Sequence, residues 1–384
     1  MRSLTKGEKM TIYLDNAGTT RALPEVVDIY TKYQTENYFN PSAPYHPSLV
    51  LSREIKDTRE KILKLLKGSG KFIFTSSGSE SDNLALFGTK KGKNSRIIVS
   101  ESEHPAVYNA AQELKQRGYD VVFCKVDETG RVIESEFAAL MNENVSLVSV
   151  MHVNNETGCV NDIKKLCSIA KKINPEVIFH SDGVQAVGKI KVDLADLNVD
   201  LYTVSGHKIH GLKGVAGLFI KEGINVRPLI YGGGQEFGIR SSTENVGGII
   251  SFGYAVEEAI KSEKTNRENA ISLRNDLVDF FIEEGFKVVL PCDYSPYILC
   301  AIMPKVRGEV MLHSLEKYGI FIGTGSACSS KKAHKKLPAI LKLTPEYENG
   351  IIRISFSRFT TKSDIEYFKE CIKKEFIILK KYIN

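Results

Sequence analysis

The chain has 384 residues, 42% hydrophobic and 26% charged, with a formal net charge of +6, and at about 150 residues per domain its length predicts two domains. The basic residues are dispersed, so direct nucleic acid binding is not indicated, and no apolar run is long enough to span a membrane. The first ten residues lack the apolar centre of a secretory signal, which predicts a cytoplasmic protein, and the scattered Cys124, Cys159, Cys167, Cys292, Cys300, Cys328 and Cys371 are expected to be free thiols rather than metal knuckles.

Residues 11–20 read as a short strand entering a polar turn placed to touch substrate. Residues 24–34 read as a helix, and the run from Asn40 to Pro47 holds three prolines and is expected to be an extended loop. Between 49 and 66, Ile55, Ile62, Leu63 and Leu66 recur at helical spacing. Strand candidates rich in Val, Ile and Phe follow at 71–75, 96–100, 120–126, 145–153, 177–180 and 201–204, with a further one at 217–221. Helical segments at 80–91, 105–117 and 162–173 lie between them. This alternation predicts an α/β fold: a large doubly wound domain whose mostly parallel sheet is covered on both faces.

Such sheets bind ligands outside the carboxyl ends of their strands. Thr75-Ser-Ser-Gly-Ser-Glu-Ser there is a hydroxyl-rich turn at a helix start, suited to a phosphate. The other strand ends carry His104 before Pro105, the polar run Asn154, Asn155 and Glu156, and Asp182 with Gln185 one turn on. The last carries Lys208 in Ser205-Gly-His-Lys, followed by Gly211, Gly214 and Gly217. A lysine for a Schiff base, an acid for a ring nitrogen, an aromatic ring to stack and a hydroxyl cradle together fit pyridoxal 5'-phosphate.

Residues 226–245 are too glycine-rich for regular structure and make a loop able to cross to a partner subunit. Helices are expected at 244–261 and 269–284. Strands at 288–290, 298–303 and 351–356 and a final helix at 364–382 then make a smaller α+β domain. Cys328, flanked by small residues on a loop, is placed for exposure and movement, as reactive thiols require. The division expected is 16–255 for the large domain and 1–15 with 256–384 for the small one.

The chain resembles the cysteine desulfurases, in the class V aminotransferase group of fold-type I pyridoxal phosphate enzymes. The likeness rests on Tyr13-Leu-Asp-Asn-Ala-Gly-Thr-Thr, Phe74-Thr-Ser-Ser-Gly-Ser-Glu-Ser, Glu103-His-Pro-Ala-Val and Met151-His-Val-Asn-Asn-Glu-Thr-Gly. It continues in His180-Ser-Asp-Gly-Val-Gln, Ser205-Gly-His-Lys, the Gly232 loop, Gly325-Ser-Ala-Cys and Arg353-Ile-Ser-Phe-Ser-Arg. The resemblance implies that Lys208 holds the cofactor covalently, that His104 stacks on its ring and that Asp182 pairs with the ring nitrogen. It further implies Gln185 and Asn155 near the phenolic oxygen, and Gly78, Ser79, Ser205 and His207 near the phosphate. Thr243 would reach the phosphate of the neighbouring subunit of a homodimer. Arg353, with Asn155 beside it, would bind the substrate carboxylate in a bidentate pair, and Cys328 would accept sulfur from L-cysteine as a persulfide.

The partner implied is a sulfur-acceptor protein, either an iron–sulfur scaffold or a thiolation enzyme. Departures from the family pattern stand at Ser77, Gly78 and Ser79, Tyr45, Leu212, Phe237, Ser242 and Ser357. They keep two alternatives in view: another class V enzyme, such as a selenocysteine lyase or an aminotransferase, and a non-catalytic scaffold.

Overall fold

A computed structural model describes residues 11–325 and 336–382. Its strands, in chain order, are β1 (Ile12–Leu14), β2 (Gly70–Thr75), β3 (Arg96–Ser100), β4 (Asp120–Cys124), β5 (Val145–Ser149) and β6 (Ile178–Asp182). There follow β7 (Leu201–Ser205), β8 (Ala216–Lys221), β9 (Lys287–Val288), β10 (Ile298–Ile302), β11 (Ile320–Thr324) and β12 (Ile351–Ser355).

A mixed seven-stranded sheet runs β2-β8-β7-β6-β5-β3-β4. From β4 to β7 every pair is parallel, while β8 is antiparallel to both neighbours. Every residue of β5, β6 and β7 is buried, as a parallel sheet with helices on both faces requires. In β2 the strand period sends Phe72 and Phe74 to the cluster that holds Phe179 and Phe252, and Ile73 to the one that holds Leu86 and Leu147.

A second sheet of five strands runs β1-β11-β12-β10-β9. Its first pair is parallel and the rest antiparallel. A separate core of Leu277, Phe281, Phe368 and Ile372 packs with it.

The structure departs from the sequence expectations where polar or glycine content hid an element. Ile320–Thr324 is a strand, although Gly323 and the small residues after it read as loop. The proline-rich loop ends sooner than expected, because helix His46–Leu66 takes Pro47 into its first turn, where no intrahelical acceptor is needed. Helix Glu263–Glu283 starts six residues before the expected 269, its first turns being too polar to show a period. Among the described residues no helix is long and apolar enough to cross a membrane, and the six described cysteines are free.

Candidate active site

A cleft of about 1100 Å³ opens where the carboxyl ends of the large sheet meet β11 and β12 of the small one. Gly78, Ser79, His104, Asn155 and Asp182 line it, with Gln185, Ser205, His207, Lys208 and Arg353. Thr243 is exposed and does not line the cleft. Cys328 lies outside the described residues.

Lys208 leaves β7 through the single helical turn Gly206–Lys208, and its Nζ donates to the carbonyls of Ala17 at 2.6 Å and Gly18 at 2.7 Å. The polar turn after β1 thus reaches the site by its backbone. Burial and the charge of Arg353 push the lysine amine down to about 8, so near neutral pH a usable fraction is the nucleophilic free base.

Asp182 ends β6, is buried and accepts from Val184 N at 2.9 Å. Burial raises its pKa to about 6. Asp82, on the helix Gly78–Thr89, is held well above the ordinary carboxylate range by burial and by the Asp182 carboxylate. His180 stands 3.6 Å from Asp82 but supplies no charge there, because burial pushes its ring down to about 3.

His104 caps the helix Pro105–Gln116, its Nδ1 accepting from Ala106 N at 3.1 Å. The ring proton therefore sits on Nε2. Burial, then the charges of Lys208 and Arg353, push His104 down to about 4, so the ring is neutral.

In the hydroxyl-rich turn, Ser77 Oγ accepts from Glu80 N at 3.1 Å. The amides of Gly78 and Ser79, in the helix's first turn, have no intrahelical acceptor and remain for a ligand. A Cβ on Gly78 would stand 3.1 Å from Val184 Cγ2 and 3.5 Å from Ser205 Cβ, narrowing this cradle.

Arg353 differs from the expectation of a free bidentate fork. Its Nη2 donates to Asp15 Oδ1 at 2.7 Å, and its Nη1 meets Asn155 O at 3.0 Å and Glu156 Oε1 at 3.3 Å. Its Nε is buried without a partner. A Cβ on Gly323 would stand 3.0 Å from Nε and from Nη2, so the glycine lets the guanidinium pack against the β11 backbone. Arg353 lines the cleft, where a carboxylate would share its terminal nitrogens with Asp15 and Glu156.

These observations fit pyridoxal phosphate. Asp182 lacks the bonded cation that a protonated ring nitrogen supplies, the amide cradle is open and Lys208 stands across the same cleft. Sequence reasoning missed Asp82 and the bracing of Arg353 by Asp15 and Glu156. Asp82 was legible, lying one helical turn after Gly78. The Arg353 brace was not, because it draws on three distant chain segments.

The class-V aminotransferase family model matches residues 12–368. Cysteine desulfurase IscS of Clostridium botulinum (strain Hall) is 36% identical over 375 residues, spanning 94% of this chain and 94% of its own. A cysteine desulfurase of Nostoc sp. (strain PCC 7120) is 36% identical over 369 residues, 92% of this chain and 90% of its own. Among solved structures, a NifS-like protein superposes with a TM-score of 0.91 at 32% identity, covering 96% of this chain and 100% of its own.

Proposed function

Since the chain belongs to the class-V aminotransferase family and, within it, to the pyridoxal-phosphate-dependent cysteine desulfurases, we propose that it converts L-cysteine to L-alanine and passes the sulfur to Cys328. The observation that carries this reading at the site is the cleft's pairing of a depressed lysine amine with a buried acid and an arginine that lines the same cleft.

Gly78 and Ser79 amides, with Ser205 and His207, would hold the phosphate, and Asp182 would keep the ring nitrogen protonated. When bound, pyridoxal phosphate draws electrons from the substrate's α-carbon and makes its proton labile. Arg353 orients cysteine by its carboxylate, with Asn155 alongside. The Lys208 amine, poised partly as free base, would take the α-proton and hold it for return. His104 covers the ring as a neutral imidazole and has its Nε2 proton to offer. The Cys328 thiolate then bonds the substrate sulfur as the carbon–sulfur bond breaks, the carbon takes a proton, and alanine leaves.

The same reading makes the chain a homodimer, with Thr243 reaching the partner's phosphate. What supports it is that Leu229, Ile230, Tyr231 and Phe237 are exposed on the loop segment that carries Thr243. The division into 16–255 and 1–15 with 256–384 is supported by the seven-stranded sheet, whose strands all lie between Gly70 and Lys221. A cytoplasmic place suits the free cysteines, and an acceptor protein, an iron–sulfur scaffold or a thiolation enzyme, would take the persulfide sulfur.

Alanine release from L-cysteine, with reductant present, tests the reading on wild type beside Cys328→Ser. Alanine from wild type and almost none from the variant is expected. Alanine from neither would overturn it in favour of another amino acid substrate.

A further inference from the structure

Lys189 is a buried ionisable group to which the mechanism above gives no task. It ends the turn that begins at Gly183, and only 6% of its surface is exposed. Burial, with the charges of Lys208 and Arg353, pushes its amine down to about 7. Its surroundings offer no compensation: His207 and His210 are held neutral by burial, and Arg358 lines the small cavity that Lys189 shares with Lys208. A lysine so placed costs stability, so its contact should serve something other than folding.

That contact is Gln185 Oε1, to which Lys189 Nζ donates. The two ends of an amide are chemically different, and a lysine's N–H groups can meet only the oxygen. Gln185 Nε2 is thereby turned to the other side, where it donates to Ala17 O at 2.9 Å. The same carbonyl accepts from Lys208 Nζ at 2.6 Å. An amide nitrogen has two N–H groups, and Gln185 lines the cleft, so the second is available to a ligand there.

We propose that Lys189 is a positioning residue for this reaction, fixing the Gln185 amide so that the cofactor's ring oxygen meets a hydrogen-bond donor. The inference rests on the pyridoxal phosphate reading. As ammonium Lys189 can only donate, and as free amine it keeps two N–H groups for Oε1 but gains a lone pair, so the charged form enforces the orientation most strongly. A donor on the ring oxygen stabilises its anionic form and weakens that oxygen's hold on the proton it shares with the Lys208 nitrogen. Losing the donor strengthens that hold.

The test uses holoenzyme of wild type, Lys189→Met, Gln185→Ala and the double variant. The readouts are pH titration of the bound cofactor's visible band, kcat and KM for L-cysteine, and thermal melting. Lys189→Met is expected to raise the titration midpoint by about one unit, and to lower kcat about tenfold with KM changed less than about threefold. Melting should not fall, because an apolar chain replaces a buried amine. Lys189→Arg, which keeps a donor, should hold the wild-type midpoint. In the Gln185→Ala background Lys189→Met should add nothing, since it acts through that amide. An unmoved midpoint in Lys189→Met, or effects that multiply in the double variant, overturns the proposal. Should Lys189→Met fail to fold, Lys189→Leu, which also carries no donor, gives the same readings. Failure of the desulfurase reading would look different, because wild type itself would then lack the visible band or release no alanine.

Discussion

At Gly323 the carboxylate pocket depends on a side chain that is missing. Arg353 stands across the ladder from it, paired in register between β11 and β12, and Asp15 and Glu156 already hold its two terminal nitrogens. Gly323 packs against this pair, since a Cβ at 323 would come within 2.7 Å of Asp15 Oδ1 and 3.0 Å of Nε and push the guanidinium out of place. Gly323→Ala is therefore expected to raise KM for cysteine by about tenfold while the bound cofactor's visible band persists. An unchanged KM would place the carboxylate elsewhere. The brace also explains how a cation can sit almost fully buried beside Lys208, since two carboxylates offset the repulsion that pushes the lysine amine down.

At the scale of elements, the Gly232 loop is tied to the two helices that flank β2 by two guanidinium–carboxylate pairs of opposite sense. Glu236 accepts from Arg59 at 2.6 and 2.9 Å and from Phe74 N at 2.8 Å. Arg240 donates back to Glu80, on the phosphate turn, at 2.8 Å. The strap holds Glu236 and Phe237 in the left-handed region, at φ of 49° and 60°, a conformation that ordinary side chains avoid. Phe237, one of the departures from the family pattern, places its ring 5.0 Å from the Arg59 guanidinium, which also lies 4.7 Å from the Phe74 ring. Glu236→Ala would leave Arg59 buried and uncompensated, and is expected to cost about 3 kcal/mol, read as a lower urea midpoint. A loss under about 1 kcal/mol would mean that the pair is exposed enough to be replaced by water.

For the whole molecule, the site is a seam between two sheets, and the proposed dimer would complete it with Thr243 of a second copy. Thr243→Ala should weaken cofactor binding about tenfold, and dilution that separates subunits should release cofactor. A monomer in sedimentation that keeps full affinity would contradict both. The strands and helices that carry the site followed from local pattern. Buried parallel strands are nearly continuous runs of Val, Ile and Phe, and ligand groups collect just after them, so Lys208, Asp182, His104 and the serine turn were legible as a set, though each alone reads as a cap or a solvated turn. β11 was not, since a glycine and polar neighbours erased its alternation. Nor was the state of any group in the cleft. The depressed amines of Lys208 and Lys189, the neutral ring of His104, the brace on Arg353 and the orientation of Gln185 arise from burial and from charges supplied by distant segments. Both are properties of distance in space, and only the packed tertiary structure sets them.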